Sequence, residues 1–323
     1  MDKTFFDEKR PLNGVKHLLT KNNVYQKGSK MIGLTALYCT IDDFCKSLTQ
    51  EWEKHLIGNG KPTRGREPGL SLSEMMTIVI LFHQSNFRTF KHFYSHVCCY
   101  FKAEFPTLIS YSRFVHLSKN LFIPLFAYLL HRRGAITGIA FVDSTSIRVC
   151  HNKRISRNKV FKGVAKRGKT TSGWFYGFKL HLIINECGEL LAFQLTPGNV
   201  ADVSVVEQLS KGIFGKLFGD KGYISSELGK KLLRHGLELF TSLRSNMKSK
   251  LISLKDKLLL RKRALIETVN DQLKNISQIE HTRHRGIGNF LVNLLAGITA
   301  YTHQEKKPCL SFKTASEDAL ITL

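Results

Sequence analysis

The stretch GIAFVDSTS, residues 138–146, limits the possible folds more than any other part of the chain. Ile139, Ala140, Phe141 and Val142 follow a glycine and run straight into a carboxylate, Asp143. A strand apolar on both faces has to be covered on both faces, so this one is expected at the centre of a sheet with helices on either side. Asp143 falls where such a strand leaves the core. An Asp in that place is ordinarily a turn former. The alternative is that the fold delivers a negative charge there for chemistry.

The pattern changes at Gly138. From Leu34 to Arg133 it is helical: Ser71-Leu72-Ser73-Glu74 has capping-box spacing ahead of MMTIVILFHQ, and FVHLSKNLFIPLFAYLLHRR reads as helix interrupted near Pro124. After Gly138 the pattern is that of strands. GIAFVDSTSIRV is the first; WFYGFKLHLIIN and ELLAFQLTPG form a hairpin through Glu186-Cys187-Gly188. ADVSVVEQLSKG (helix), KLFGD (strand), SSELGKKLLRHG (helix), LELFTSL (strand) and a long helix from about Leu254 to Asn275 follow. Three strands and then alternating helices and strands predict an α/β fold, a mixed sheet with helices packed on it.

KLFGD repeats the first motif, a short apolar strand ending in Asp220. On the long helix, Leu258, Leu265, Val269, Leu273 and Ile276 form one stripe, expected to face the core. Arg263, Glu267, Asn270 and Lys274 fall within about 60° of each other on a separate face. Read alone, that face is solvated, with an i,i+4 Arg263–Glu267 pair. Read together with Asp143 and Asp220, three carboxylates from three elements could converge beside one sheet. Such a group cannot stay ionised without compensation, and a divalent cation with oxygen ligands supplies it. Two ions about 4 Å apart suit phosphodiester chemistry.

Composition points to the partner. The chain has 323 residues with 49 Lys and Arg against 25 Asp and Glu, a formal net charge of +24. Self-repulsion on that scale is relieved by a polyanion, and nucleic acid is the leading candidate. No apolar run approaches the ~20 residues of a membrane span, and MDKTFFDEKR lacks the apolar core of a signal peptide. The seven cysteines include no CxxC pair, which argues against a zinc site or a disulfide framework and for a reducing cytosol. Arg148 and the segment HNKRISRNKVFKGVAKRGK, with Lys153, Arg154, Arg157, Lys159, Lys162, Lys166, Arg167 and Lys169, concentrate positive charge beside Asp143 and are expected to contact the DNA backbone. Trp174, Phe175 and Tyr176 are expected in the core rather than stacked on a base, and His181 as a buried, hydrogen-bonded histidine.

FVDSTSIRVCHNKRISRNKVFKG, TPGNVADV, GDKGYIS and RKRALIETVNDQLKN together resemble the DDE transposases of bacterial insertion sequences, and within them the insertion-sequence 982 family, from about Leu34 to about Thr302. The resemblance implies an RNase H-like catalytic domain and assigns Asp143, Asp220 and Glu267, separated by 77 and 47 residues, as the catalytic metal ligands. Arg263, Glu267 and Lys274 match the family's Tyr-x2-Arg-x3-Glu-x6-Lys helix, with Leu260 in place of the Tyr. It further implies two Mg²⁺ ions, for which Mn²⁺ can substitute, and cleavage at the element's ends with 3′-OH strand transfer into target DNA. Terminal repeats and target DNA are then the partners of a homodimer or higher assembly in the bacterial cytoplasm, at the nucleoid. The expected organisation is a flexible extension (1–30), a helical DNA-binding domain (31–133) in which Arg64, Arg66, Arg88 and Lys91 contribute contacts, an RNase H-like catalytic domain (134–305) and a tail (306–323). A relative that binds DNA without cutting it, a nuclease that stops at hydrolysis, and a basic DNA-binding protein without catalysis are the alternatives.

Overall fold

The computed structural model describes residues 33–56, 69–171, 173–243, 251–280, 284–310 and 320–322. The expectations for residues 1–30, for Arg64 and Arg66, and for most of the tail lie outside them.

Five helices come first: α1 (Leu34–Leu56), α2 (Leu72–Gln84), α3 (Phe90–Tyr100), α4 (Tyr111–Ser118) and α5 (Phe122–His131). The capping box opens α2 as its spacing predicts: the Glu74 amide donates to the Ser71 hydroxyl, and the Ser71 amide to the Glu74 carboxylate. Pro124 does not break a helix. It sits in the first turn of α5, where no intrahelical donor is lost, and a short 3-10 turn separates α4 from α5.

The sheet is built from β1 (Ile139–Cys150), β2 (Lys166–Thr170), β3 (Gly173–Asn185), β4 (Leu190–Pro197), β5 (Gly215–Gly219) and β6 (Leu237–Thr241). β1 is central. It pairs antiparallel with β3 and parallel with β5, and β5 pairs parallel with β6. β4 and β2 both pair antiparallel with β3. A three-strand antiparallel meander whose first strand is central, extended by two parallel strands, is the RNase H-like arrangement.

Alternation along β1 and β3 divides the core. Phe141, Ile147, Phe178, Leu180, Leu182, Ile184 and Phe218 face one side. There they join α9 (Ala264–Asn275), α10 (Ile287–Thr302) and residues of the first five helices in one apolar cluster. Ala140, Val142, Ile183, Leu217 and Leu237 face the other side, under α6 (Val203–Leu209) and α7 (Ser226–Arg234). α10 packs against α2 and α5 as well as α9. Gly236, at φ +75°, ends the turn after α7 and leads into β6, as the sequence suggests.

Three expectations are corrected. The long helix is two, α8 (Leu254–Arg261), which follows the short strand β7 (Leu251–Ser253), and α9. Leu265, Val269 and Leu273 are buried, but Leu258, which lies before the break at Lys262 and Arg263, and Ile276, just past the end of α9, are exposed. Trp174 is 62% exposed and only Phe175 and Tyr176 enter the core, because β3 begins at the sheet's edge. Asp143 does not end its strand, since β1 runs on through it to Cys150 in register with β3.

Candidate active site

β1 outlasts its parallel neighbour, which explains Asp143. The β1–β5 ladder ends at Phe141 and Phe218. Two residues further along each strand stand Asp143 and Asp220, so both carboxylates lie just past the C-terminal end of β5. By the pleat both project to the side of Phe141 and Phe218, the side on which α9 packs. On the opposite side Gly219 fits closely: a Cβ there would lie 3.0 Å from the Tyr223 ring and 3.1 Å from Val142.

α9 supplies the third acid. Its first turn places Glu267 against Arg263, whose guanidinium donates to the Glu267 carboxylate at 2.7 Å and stands 3.9 Å from that of Asp220. One turn further on, the buried Asn270 donates through Nδ2 to Asp143 Oδ2 at 3.0 Å. The helix face drawn from the sequence therefore meets the two strand-borne acids. Burial is the main reason the Asp143 carboxyl is raised from 3.8 to about 6; the negative charges of Glu267 and Asp220 add to it, while the Ser144 backbone amide and Arg263 pull it down.

The cationic Arg263 compensates Glu267 and, at longer range, Asp220, and among the described residues no set of three His, Cys, Asp or Glu is close enough to hold one metal. The donor chemistry nevertheless suits a hard divalent cation. Arg263 reaches the carboxylates of Glu267 and Asp220, Asn270 reaches that of Asp143, and Asn270 Oδ1 is a buried oxygen acceptor without a hydrogen-bond donor.

Lys274, on the same helix face, points elsewhere. It pairs at 3.6 Å with Glu280, which also accepts from the Arg148 backbone amide at 3.0 Å and lies 4.0 Å from the Arg148 guanidinium. Lys153, Arg154, Arg157, Lys159, Lys162, Lys166, Arg167 and Lys169 are all exposed. They run from the end of β1 through a 3-10 segment into β2, and Lys169 lies 5.8 Å from the exposed Trp174 ring. No acid interrupts residues 151–171.

A polar group on the opposite face of β1 escaped sequence reasoning. Asp202 precedes α6 yet makes no capping bond. It accepts instead from Ser144 and Lys179, each at 3.0 Å, and lies 3.8 Å from the His181 ring. His181 is buried and bonded to Thr196 at 2.8 Å, as expected of it, and burial lowers it to about 4 despite Asp202. The one available signal was Lys179 and His181 alternating on one strand face; nothing in ADVSVV distinguishes Asp202 from an ordinary helix start.

Fold and acids together define a class: an RNase H-like unit with carboxylates grouped at the end of its parallel strands. More specifically, residues 133–287 match the family described as "Transposase DDE domain", and the matched segment holds all three acids. No curated protein matches the chain. Among solved structures, the piggyBac transposase synaptic complex with hairpin DNA aligns at 12% identity and a TM-score of 0.42, over 78% of this chain and 70% of that one. The Mos1 strand transfer complex aligns at 12% identity and a TM-score of 0.22, over 62% and 68%.

Proposed function

We propose that the chain is the DNA transposase of a bacterial insertion sequence, of the 982 family, acting on the ends of its element. The observation that supports this reading is that one helix face reaches all three acids: Arg263 contacts Glu267 and Asp220, and Asn270, on the same face, bonds Asp143. The three carboxylates would hold divalent cations, two Mg²⁺ or Mn²⁺ in their place. Such ions, when bound, supply an activated water and charge stabilisation for the leaving oxygen.

The chain's own groups do the rest. Asn270 holds the Asp143 carboxylate in place through its amide. Arg263 offers its planar fork to a phosphate, which it can grip bidentately. Lys274 and Arg148 add positive charge near the far end of α9. The exposed cations from Lys153 to Lys169 follow the DNA backbone, which gives affinity without sequence choice. Hydrolysis at the element's end frees a 3′-OH, and that hydroxyl attacks target DNA in the same site. Both steps are phosphoryl transfers, so one set of acids serves both, and no protein nucleophile is required. The helical segment 31–133, with Arg88 and Lys91 among its described cations, reads the terminal repeats, and residues 134–305 carry catalysis. Two or more copies pair the ends, in the cytoplasm at the nucleoid.

Strand transfer decides the matter. Labelled terminal oligonucleotides are incubated with a target plasmid in Mg²⁺ or in EDTA, with wild type and Glu267→Gln. Joined products from wild type in Mg²⁺ alone are expected, with a loss of at least about 100-fold in the variant. Free cleaved ends without joining would make the protein a nuclease. Binding with no cleavage in any arm would remove the catalytic reading altogether.

A further inference from the structure

Away from the acids, the turn joining β3 to β4 meets the chain that leaves α10. The Leu310 amide donates to the Glu186 carbonyl at 2.9 Å. Two residues on, Gly188 presses on Pro308 so closely that a Cβ at Gly188 would lie 2.2 Å from the Pro308 carbonyl oxygen. The residues on either side of Cys187 thus touch the residues on either side of Cys309, with the two segments running in opposite directions. That register sets the cysteines face to face, the backbone separation at which a disulfide closes with little movement. Cys309 is close enough to the Cys187 thiol to help raise it, after burial. Both cysteines are exposed and both are free thiols.

We infer that Cys187 and Cys309 form a reversible disulfide, a redox latch fastening the segment after α10 to the β3–β4 turn. The oxidant is a low-molecular-weight disulfide of the glutathione type. One protein thiolate attacks it, releasing one small thiol and leaving a mixed disulfide. The second protein thiolate then displaces the other small thiol. Two protein S–H bonds and one small-molecule S–S bond are exchanged for one protein S–S bond and two small thiols, so atoms and electrons balance.

The latch has a structural target. The Tyr301 hydroxyl, near the end of α10, already donates to the Gly188 carbonyl at 2.6 Å, and α10 is the helix on which α2 and α5 pack. Closing a loop of more than a hundred residues there restrains the unfolded chain and ties the helical layer to the sheet. The site lies apart from the acids, so it leaves the catalytic groups chemically untouched.

Reduced full-length protein is treated with oxidised glutathione, alkylated and digested. A peptide pair linked through Cys187 and Cys309, lighter by two hydrogens than its parts, is expected, while the exposed Cys39, Cys98 and Cys99 stay alkylated. Oxidation should also raise the Tm of wild type by several degrees and leave that of Cys309→Ser unmoved. Alkylation of both cysteines after treatment, separate glutathione adducts on each, or linkage to other cysteines would each overturn the latch.

Discussion

At the scale of single residues, Asp143 carries a cost that a bound cation would remove. Its carboxyl is raised from 3.8 to about 6, chiefly by burial. Between those values the folded chain binds a proton that the unfolded chain has released. The metal-free protein therefore gains stability as pH falls through this window and loses it as pH rises, the reverse of an ion-paired Asp. At neutral pH the penalty is at most about 3 kcal/mol. Asp143→Asn keeps a partner for Asn270 and carries no charge. In EDTA it should melt at a higher temperature than wild type at pH 7.5, by the equivalent of about 1–3 kcal/mol, with the gap closing near pH 4. Mg²⁺ should raise the Tm of wild type and not of the variant, and strand transfer should be lost. A variant less stable than wild type in EDTA at pH 7.5 would contradict this account of Asp143.

At the scale of elements, apolar runs were legible and polar ones were not. β1, β3, β4, β5 and β6 are each announced by runs such as IAFV and HLII, which have no fate outside a covered sheet. β2, KRGKT, carries charge instead and forms only because β3 offers it an edge; lysines on an edge strand also discourage pairing with another chain. Asp220 does follow a strand and Glu267 does lie on the helix face drawn from the sequence, but Asp143 does not end its strand, and the reason for its place was not legible. It depends on β5 being shorter than β1, a fact of pairing that periodicity along one strand does not contain. The break between α8 and α9 was missed on similar grounds, since RKRA is a good helical sequence. Asp202 escaped because its partners Lys179 and Ser144 lie far from it in sequence. α9 presents Glu267 correctly only while its apolar side is anchored, and Ile266, fully buried, is next to that residue. Ile266→Ala should cost about 2–4 kcal/mol in denaturant unfolding and lower strand transfer under conditions where the variant is still folded. A cost under about 1 kcal/mol would show that α9 is held by something else.

At the scale of the whole molecule, charge distribution matters more than the total. A net charge of +24 on 323 residues favours a polyanion as partner but does not say where it would lie. The structure narrows the question: Asp143 and Asp220 stand just past the end of β5, and an exposed run of cations free of any acid leaves the end of β1, the strand that carries Asp143. On the proposed function, attraction for the backbone and the site of reaction arise on one strand. If that run tracks phosphates, each contact releases counterions, and affinity falls with salt in proportion to the number of contacts. A variant with Lys153, Arg154 and Arg157 changed to Gln should bind end DNA and unrelated duplexes more weakly by similar factors, because backbone contacts carry no sequence information. Its slope of log affinity against log salt should be shallower than that of wild type by about 2 to 3. The three side chains are exposed, so the Tm should stay within about a degree of wild type. An unchanged slope, measured by titration of fluorescent duplex from low to physiological salt, would move the DNA path off this segment and onto the cations of the helical layer.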